Sequence, residues 1–109
     1  MQDLGSLEYA ALKVRDSIAA GLLSGPRVLA SGPWLGVTGG TCDFSGIGVR
    51  GAGAFSARVK ADAEHHADLI KICVTGWPDD GFRFPDSVEI SDAELNAAME
   101  EARRRHLRV

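Results

Sequence analysis

The stretch "ADLIKICVTGW", residues 67–77, places one lysine, Lys71, in the middle of an apolar run rich in Ile and Val and closed by Gly76 and Pro78. A run of this length with those boundaries is expected as an interior parallel strand. An ammonium group in such a strand loses its water. A lysine so placed deprotonates, pairs with a carboxylate or carries chemistry, unless it lies at a rim and its amine reaches solvent along the four-carbon stem.

Other residues offer weaker chemistry. "GIGVRG", Gly46–Gly51, matches the GxGxxG spacing of dinucleotide-binding loops, in which glycines let the backbone approach a pyrophosphate at a helix N-terminus. That fingerprint needs a strand leading straight into it, and here the preceding strand ends some fifteen residues earlier. No cofactor binding is expected from it. His65 and His66 are adjacent, so on a helix they point about 100° apart and do not share one metal easily. They read as surface residues at a helix end, and His106, beside three arginines, reads as a poor ligand. In "EEARRRHLR", Glu100 with Arg104 and Glu101 with Arg105 are i,i+4 pairs on a solvated helix face rather than a nucleic-acid patch. Cys42, in a glycine-rich loop, could be exposed and reactive, but no base stands beside it in sequence.

The elements that position these residues follow from pattern. Ser6 is a candidate N-cap for a helix with Leu7, Ala11, Val14, Ile18 and Leu22 on one face, stopped by Gly25-Pro26. "RVLAS", 27–31, reads as a buried strand. Eight of the thirteen glycines fall between Gly32 and Gly53, which makes that region a long loop, and such loops are commonly functional. A second helix over 54–66 with Phe55, Val59 and Ala63 inward leads into the lysine strand. A polar loop, "PDDGFRFPDS", follows it. Ser91 and Glu94 then form a capping box ahead of Leu95, Ala98, Met99 and Ala102. "LRV" at the end and "MQDLG" at the start read as pieces of strands. Strands alternating with helices imply parallel βαβ units.

Composition bounds the class. With 109 residues, 45% hydrophobic and 25% charged, the chain is ordinary for one globular domain. A net charge of −3 gives no global attraction to nucleic acid or an anionic membrane, and no segment has the length of a membrane span or the pattern of a signal peptide. Cys42 and Cys73 are the two cysteines. Because Cys73 lies inside the apolar strand, no disulfide framework is expected and a reducing cytoplasm is favoured.

Three segments, "DLGSLEYAALKVRDSIAAGLLSGPRVLASGPWLGVTGG", "ADLIKICVTG" and "ISDAELNAAMEEARRRHLRV", resemble in order and spacing the central part of metal-dependent amidohydrolases, in the imidazolonepropionase-like and Xaa-Pro dipeptidase-like branch. The strongest elements are "GPRVLASGP", the "TGG" at Thr38–Gly40 and "ADLIK". The resemblance implies an α/β fold: residues 1–109 as a fragment, about three βα units, of a (β/α)8 TIM barrel. At roughly 31 residues per unit the chain is too short to close a barrel of about 250 residues. It further implies a divalent metal, zinc foremost, in the complete barrel, with Lys71 as a carbamylated metal ligand. A neutral amine can add carbon dioxide, and the carbamate supplies anionic oxygen. On this placement Leu69, Lys71, Cys73 and Thr75 point into the barrel, and Ile70, Ile72 and Val74 face the helices.

The resemblance also implies a reaction, hydrolysis of amide or other C–N bonds in a small-molecule amide or dipeptide substrate. The family's remaining ligands, a His-x-His pair, later histidines and a late aspartate, have no counterpart between Met1 and Val109. One ligand does not hold a catalytic metal, so the isolated chain is expected to be inactive until a longer or complementing chain supplies the rest. The alternative is a non-catalytic remnant that covers its open strand edges by homo-oligomerisation or with a partner. Three positions depart from the family pattern: Thr41 where a histidine often follows "TGG", Trp77 where a glycine usually follows the strand-ending "TG", and His66 where a glycine often precedes "ADLIK".

Overall fold

Strand β1 (Gln2–Asp3) pairs in parallel with β2 (Leu29–Ala30), Gln2 opposite Leu29 and Asp3 opposite Ala30, as the alternation of strand pieces with helices implies. The computed structural model describes residues 1–76 and 87–109. The expected polar loop at 78–87, apart from Ser87, and Trp77 lie outside them. The lysine run continues the parallel arrangement through single bridges rather than a continuous ladder. Asp68 N donates to Ala30 O (2.9 Å), Leu35 pairs with Ile72, and Leu69 pairs with Arg108. From 74 to 76 the chain also meets 87–89 in the antiparallel sense, Thr75 opposite Val88, a pairing that no sequence signal announced.

Three helices cover one side. α1 spans Ala10–Ala19, α2 Ala52–Glu64 and α3 Asp92–Arg104, so the result is a small α/β arrangement with parallel pairing. α2 and α3 pack on each other and on the extended segments. Leu35, Val37, Phe55, Val59, Ile70, Ile90, Ala98 and Ala102 form the main core, with Ile72 and Val74 partly buried against it. A smaller cluster joins Leu12, Val28, Ala30 and Ala67, with Tyr9, Ala11 and Ile18 against it. The expected alternation along 70–74 therefore holds on the helix side. On α3, Ala98 and Ala102 are buried, but Met99 is 38% exposed.

α1 departs from its pattern. Val14 and Leu22, expected inward, are 48% and 78% exposed, and Leu12 is the residue buried. The cause lies at its start, where Glu8 and Tyr9 have positive φ (51° and 58°) and turn the chain before the helix begins. This lets the Tyr9 ring stack on His65 at 3.8 Å and 7°. Ser6 still serves the helix, its Oγ accepting from Ala11 N at 2.9 Å, but from outside the usual N-cap position. Ion pairing also fixes the helix: Arg15 Nη1 lies 2.6 Å from Asp68 Oδ2, which accepts from Ala30 N (2.9 Å) as well.

All three helices end in one way. Leu22 N donates to Ser17 O and Gly21 N to Ile18 O after α1; Ala67 N to Asp62 O and His66 N to Ala63 O after α2; Leu107 N to Ala102 O and His106 N to Arg103 O after α3. These are Schellman caps, which require a left-handed residue. It is Gly21 (φ 75°) in the first, so α1 stops before Gly25-Pro26, and histidine in the others, His66 (62°) and His106 (56°). Among the described residues, no helix is long and apolar enough to cross a membrane.

Candidate functional site around Lys71

Lys71 lies on the face turned away from the main core, held in place by its backbone: Leu35 N donates to Lys71 O at 2.8 Å, and Cys73 N to Leu35 O at 2.7 Å. Its side chain is half-buried, less enclosed than the apolar run suggests, and it borders a cavity of about 420 Å³ together with the rest of the run from Ile72 to Thr75, Ile72 and Val74 included although they also pack against the main core. The opposite wall comes from Leu4, after β1, and from Trp34, Cys42 and Phe44 of the glycine-rich loop.

The cysteines overturn the expectation that no disulfide forms. Cys42 and Cys73 form a disulfide with a Cα–Cα distance of 6.3 Å. Cys42 is neither exposed nor a free thiol: both residues are buried, at 5% and 8% exposure. Burial of Cys73 in a strand does not prevent pairing when a loop folds over that strand. Gly36 permits the approach, since a Cβ there would stand 3.1 Å from the Cys42 Cβ.

The rest of the loop is held by the chain's own carboxylates. Thr41 N donates to Glu89 at 2.9 Å and Thr41 Oγ1 at 2.6 Å, so the residue standing where the family often has histidine is bound internally. Within "TGG", Gly40 sits where a Cβ would come within 2.8 Å of Glu89 Oε2 and 2.9 Å of Val37 O. Asp43 accepts from Gly39 N and Gly48 N, both at 2.7 Å, and these bonds hold its carboxyl below the usual range. Gly51 N, at the start of α2, donates to Glu94 Oε1 at 2.8 Å. Glu94 closes the Ser91 capping box as well, and the backbone donors from Ser91 and Gly51 lower its pKa. Within "GIGVRG", the backbone N–H groups of Gly46, Gly48, Val49 and Gly51 are all donated within the chain.

The histidines are not brought to Lys71. His65 is exposed and stacks on Tyr9, and His66 and His106 are exposed helix-end residues. Among the described residues, no group of three or more His, Cys, Asp or Glu could hold a metal ion. With both cysteines consumed in the disulfide, Lys71 is the one candidate ligand at the cavity among the described residues, and a single ligand does not fit a catalytic metal without further residues.

One buried group escaped the sequence reading. Asp62 on α2 is fully buried, and neither carboxylate oxygen has a hydrogen-bond partner. Burial pushes its pKa up to about 7. Burial and the Asp62 charge likewise raise the Tyr9 phenol to about 12. Phe55, Val59 and Asp62 follow one another at helical spacing, and that was the available signal. Asp62 lies beneath Gly32, where a Cβ would come 3.4 Å from its Oδ1, and it does not line the Lys71 cavity.

The sequence matches no family model and no curated protein. Its structure does have relatives. A Xaa-Pro dipeptidase with methionine bound in its active site shares 26% identity and a TM-score of 0.87 over 97% of this chain and 30% of that one. A putative prolidase from Bifidobacterium longum shares 25% identity and a TM-score of 0.77, over 97% of this chain and 25% of that one. An ochratoxinase from A. niger matches in fold, with 22% identity, a TM-score of 0.79, and 92% and 29% coverage. The chain spans about a third or less of the length of the proteins it matches. In fold, the chain is similar to one segment of these amidohydrolase-superfamily proteins, the likeness that the sequence motifs also suggest.

Proposed function

We propose that residues 1–109 act as a segment of a metal-dependent amidohydrolase barrel that hydrolyses amide or other C–N bonds in small molecules. The observation that carries this reading is the position of Lys71, on the cavity side of a segment whose backbone follows a Xaa-Pro dipeptidase at a TM-score of 0.87. Lys71, as a carbamate, supplies one ligand to a divalent metal, zinc foremost, and the remaining ligands come from further residues of the same protein or of a complementing chain. The segment alone is not a hydrolase. Its own contribution is to hold Lys71 at a fixed place, through Leu35 on one side and Arg108 on the other.

A chimera tests this. The matching segment of the Xaa-Pro dipeptidase is replaced by residues 1–109, and metal content and dipeptide hydrolysis are measured with Lys71 and with Lys71→Met. The expected outcome is a folded, metal-loaded chimera whose Lys71→Met form loses metal and at least about 1,000-fold in kcat/KM, on the order of 4 kcal/mol. A folded Lys71→Met chimera with full metal content would refute the ligand role.

A further inference from the structure

Four aromatic rings belong to the described residues, and they divide cleanly. Phe55 is in the main core and Tyr9 stacks on His65. Trp34 and Phe44 join neither core cluster and stack on each other, with ring centroids 4.9 Å apart and planes 28° apart. Both border the Lys71 cavity.

Trp34 is fixed from two directions. Its Nε1 donates to Cys42 O at 2.7 Å, and the disulfide ties Cys42 to the lysine strand. On the other side the indole lies against Gly5, where an added Cβ would come within 2.7 Å of Cε3. Phe44 is 68% exposed, a large apolar ring within the otherwise small and polar stretch "TCDFSG". A ring left in water beside a second ring that is locked in place has no use in the core. At about 420 Å³ the cavity falls in the range of small-molecule sites, which combine apolar and aromatic walls with a few polar groups. Among the described residues no carboxylate lines it, and Lys71 is the one ionisable side chain on its wall.

We propose that Trp34 and Phe44 form the recognition wall for an aryl group, and that the substrates are amides bearing an aromatic side chain. This rests on the reading of the Lys71 cavity as a substrate site. Rings stack offset or edge to face on such a wall, whereas an aliphatic group of equal size gains only burial.

The test is titration of the 109-residue chain with N-acetyl-L-phenylalaninamide, N-acetyl-L-leucinamide and N-acetyl-L-alaninamide, followed by NMR shift changes. These neutral probes leave the Lys71 charge out of the comparison. The phenylalanine probe is expected to bind at least about 5-fold tighter than the leucine probe, in keeping with the size of aromatic pair terms. Phe44→Ala, at an exposed site, should bring that ratio to within about twofold of one, and Trp34→Phe should keep most of it. Equal binding of the phenylalanine and leucine probes, no binding of any probe, or an unchanged ratio in Phe44→Ala would overturn the proposal. Lys71→Met separates the two readings: the aryl preference should persist in it, so loss of the metal role in the chimera would not touch this result.

Discussion

Asp62 is the residue whose chemistry most clearly costs the fold something. Its folded pKa is about 7 against an ordinary value of 3.8. Between those values the unfolded chain has released the proton and the folded chain still holds it, so stability falls as pH rises from about 4 to about 7 and is level above that. At about 1.4 kcal/mol per pH unit the loss is on the order of 4 kcal/mol at most. The Tyr9 hydroxyl and then the Arg58 charge lower its pKa without restoring it. Asp62→Asn should flatten this slope. In urea unfolding at pH 5 and pH 8, the unaltered chain is expected to lose stability at pH 8, and the variant to keep most of it. Equal slopes for both would show that Asp62 is solvated.

At the level of the elements, the helix ends carry the clearest prediction. His66 and His106 occupy left-handed positions that glycine fills without strain, as Gly21 does at the end of α1. A left-handed side chain costs about 1–2 kcal/mol, and glycine gives back part of that gain through the greater freedom of the unfolded chain. His66→Gly and His106→Gly should each stabilise the chain by about 0.5–1 kcal/mol, seen as a rise of a few degrees in melting temperature. This also gives a physical reason for the glycine often found before "ADLIK": the position demands positive φ. The capping box at Ser91 and Glu94 and the pairs Glu100–Arg104 and Glu101–Arg105 were legible because they depend on neighbours three or four residues away. The face of α1 was legible only in part: Ala11 and Ile18 pack inward as expected, but Val14 is exposed and Leu12 buried where Tyr9 turns onto His65 of another helix.

For the whole molecule, the principal extents of 43, 33 and 19 Å describe a slab one sheet and one helix layer thick. The radius of gyration, 14.5 Å, exceeds the about 13 Å of a compact domain of this length. Within this slab the disulfide closes the glycine-rich loop over the sheet across 31 residues of sequence. Bridges of this kind constrain the unfolded chain, and Cys42→Ser with Cys73→Ser should cost about 2–4 kcal/mol, measured as a lower urea midpoint than that of the oxidised chain. Thiol trapping at cell lysis then addresses location. A cytoplasmic protein keeps such a pair reduced, whereas a fully formed bond indicates an oxidising compartment.

The sequence by itself determined the helices α2 and α3, the parallel order of the strand pieces, and the resemblance to amidohydrolases. All of these rest on local period, capping chemistry or the order of short motifs. Tertiary structure alone decided the Cys42–Cys73 bond, the burial of Asp62 and the aromatic wall of Trp34 and Phe44. Each of these joins or encloses residues through contacts between separate elements, and no spacing along the chain encodes how a glycine-rich loop folds back over a strand.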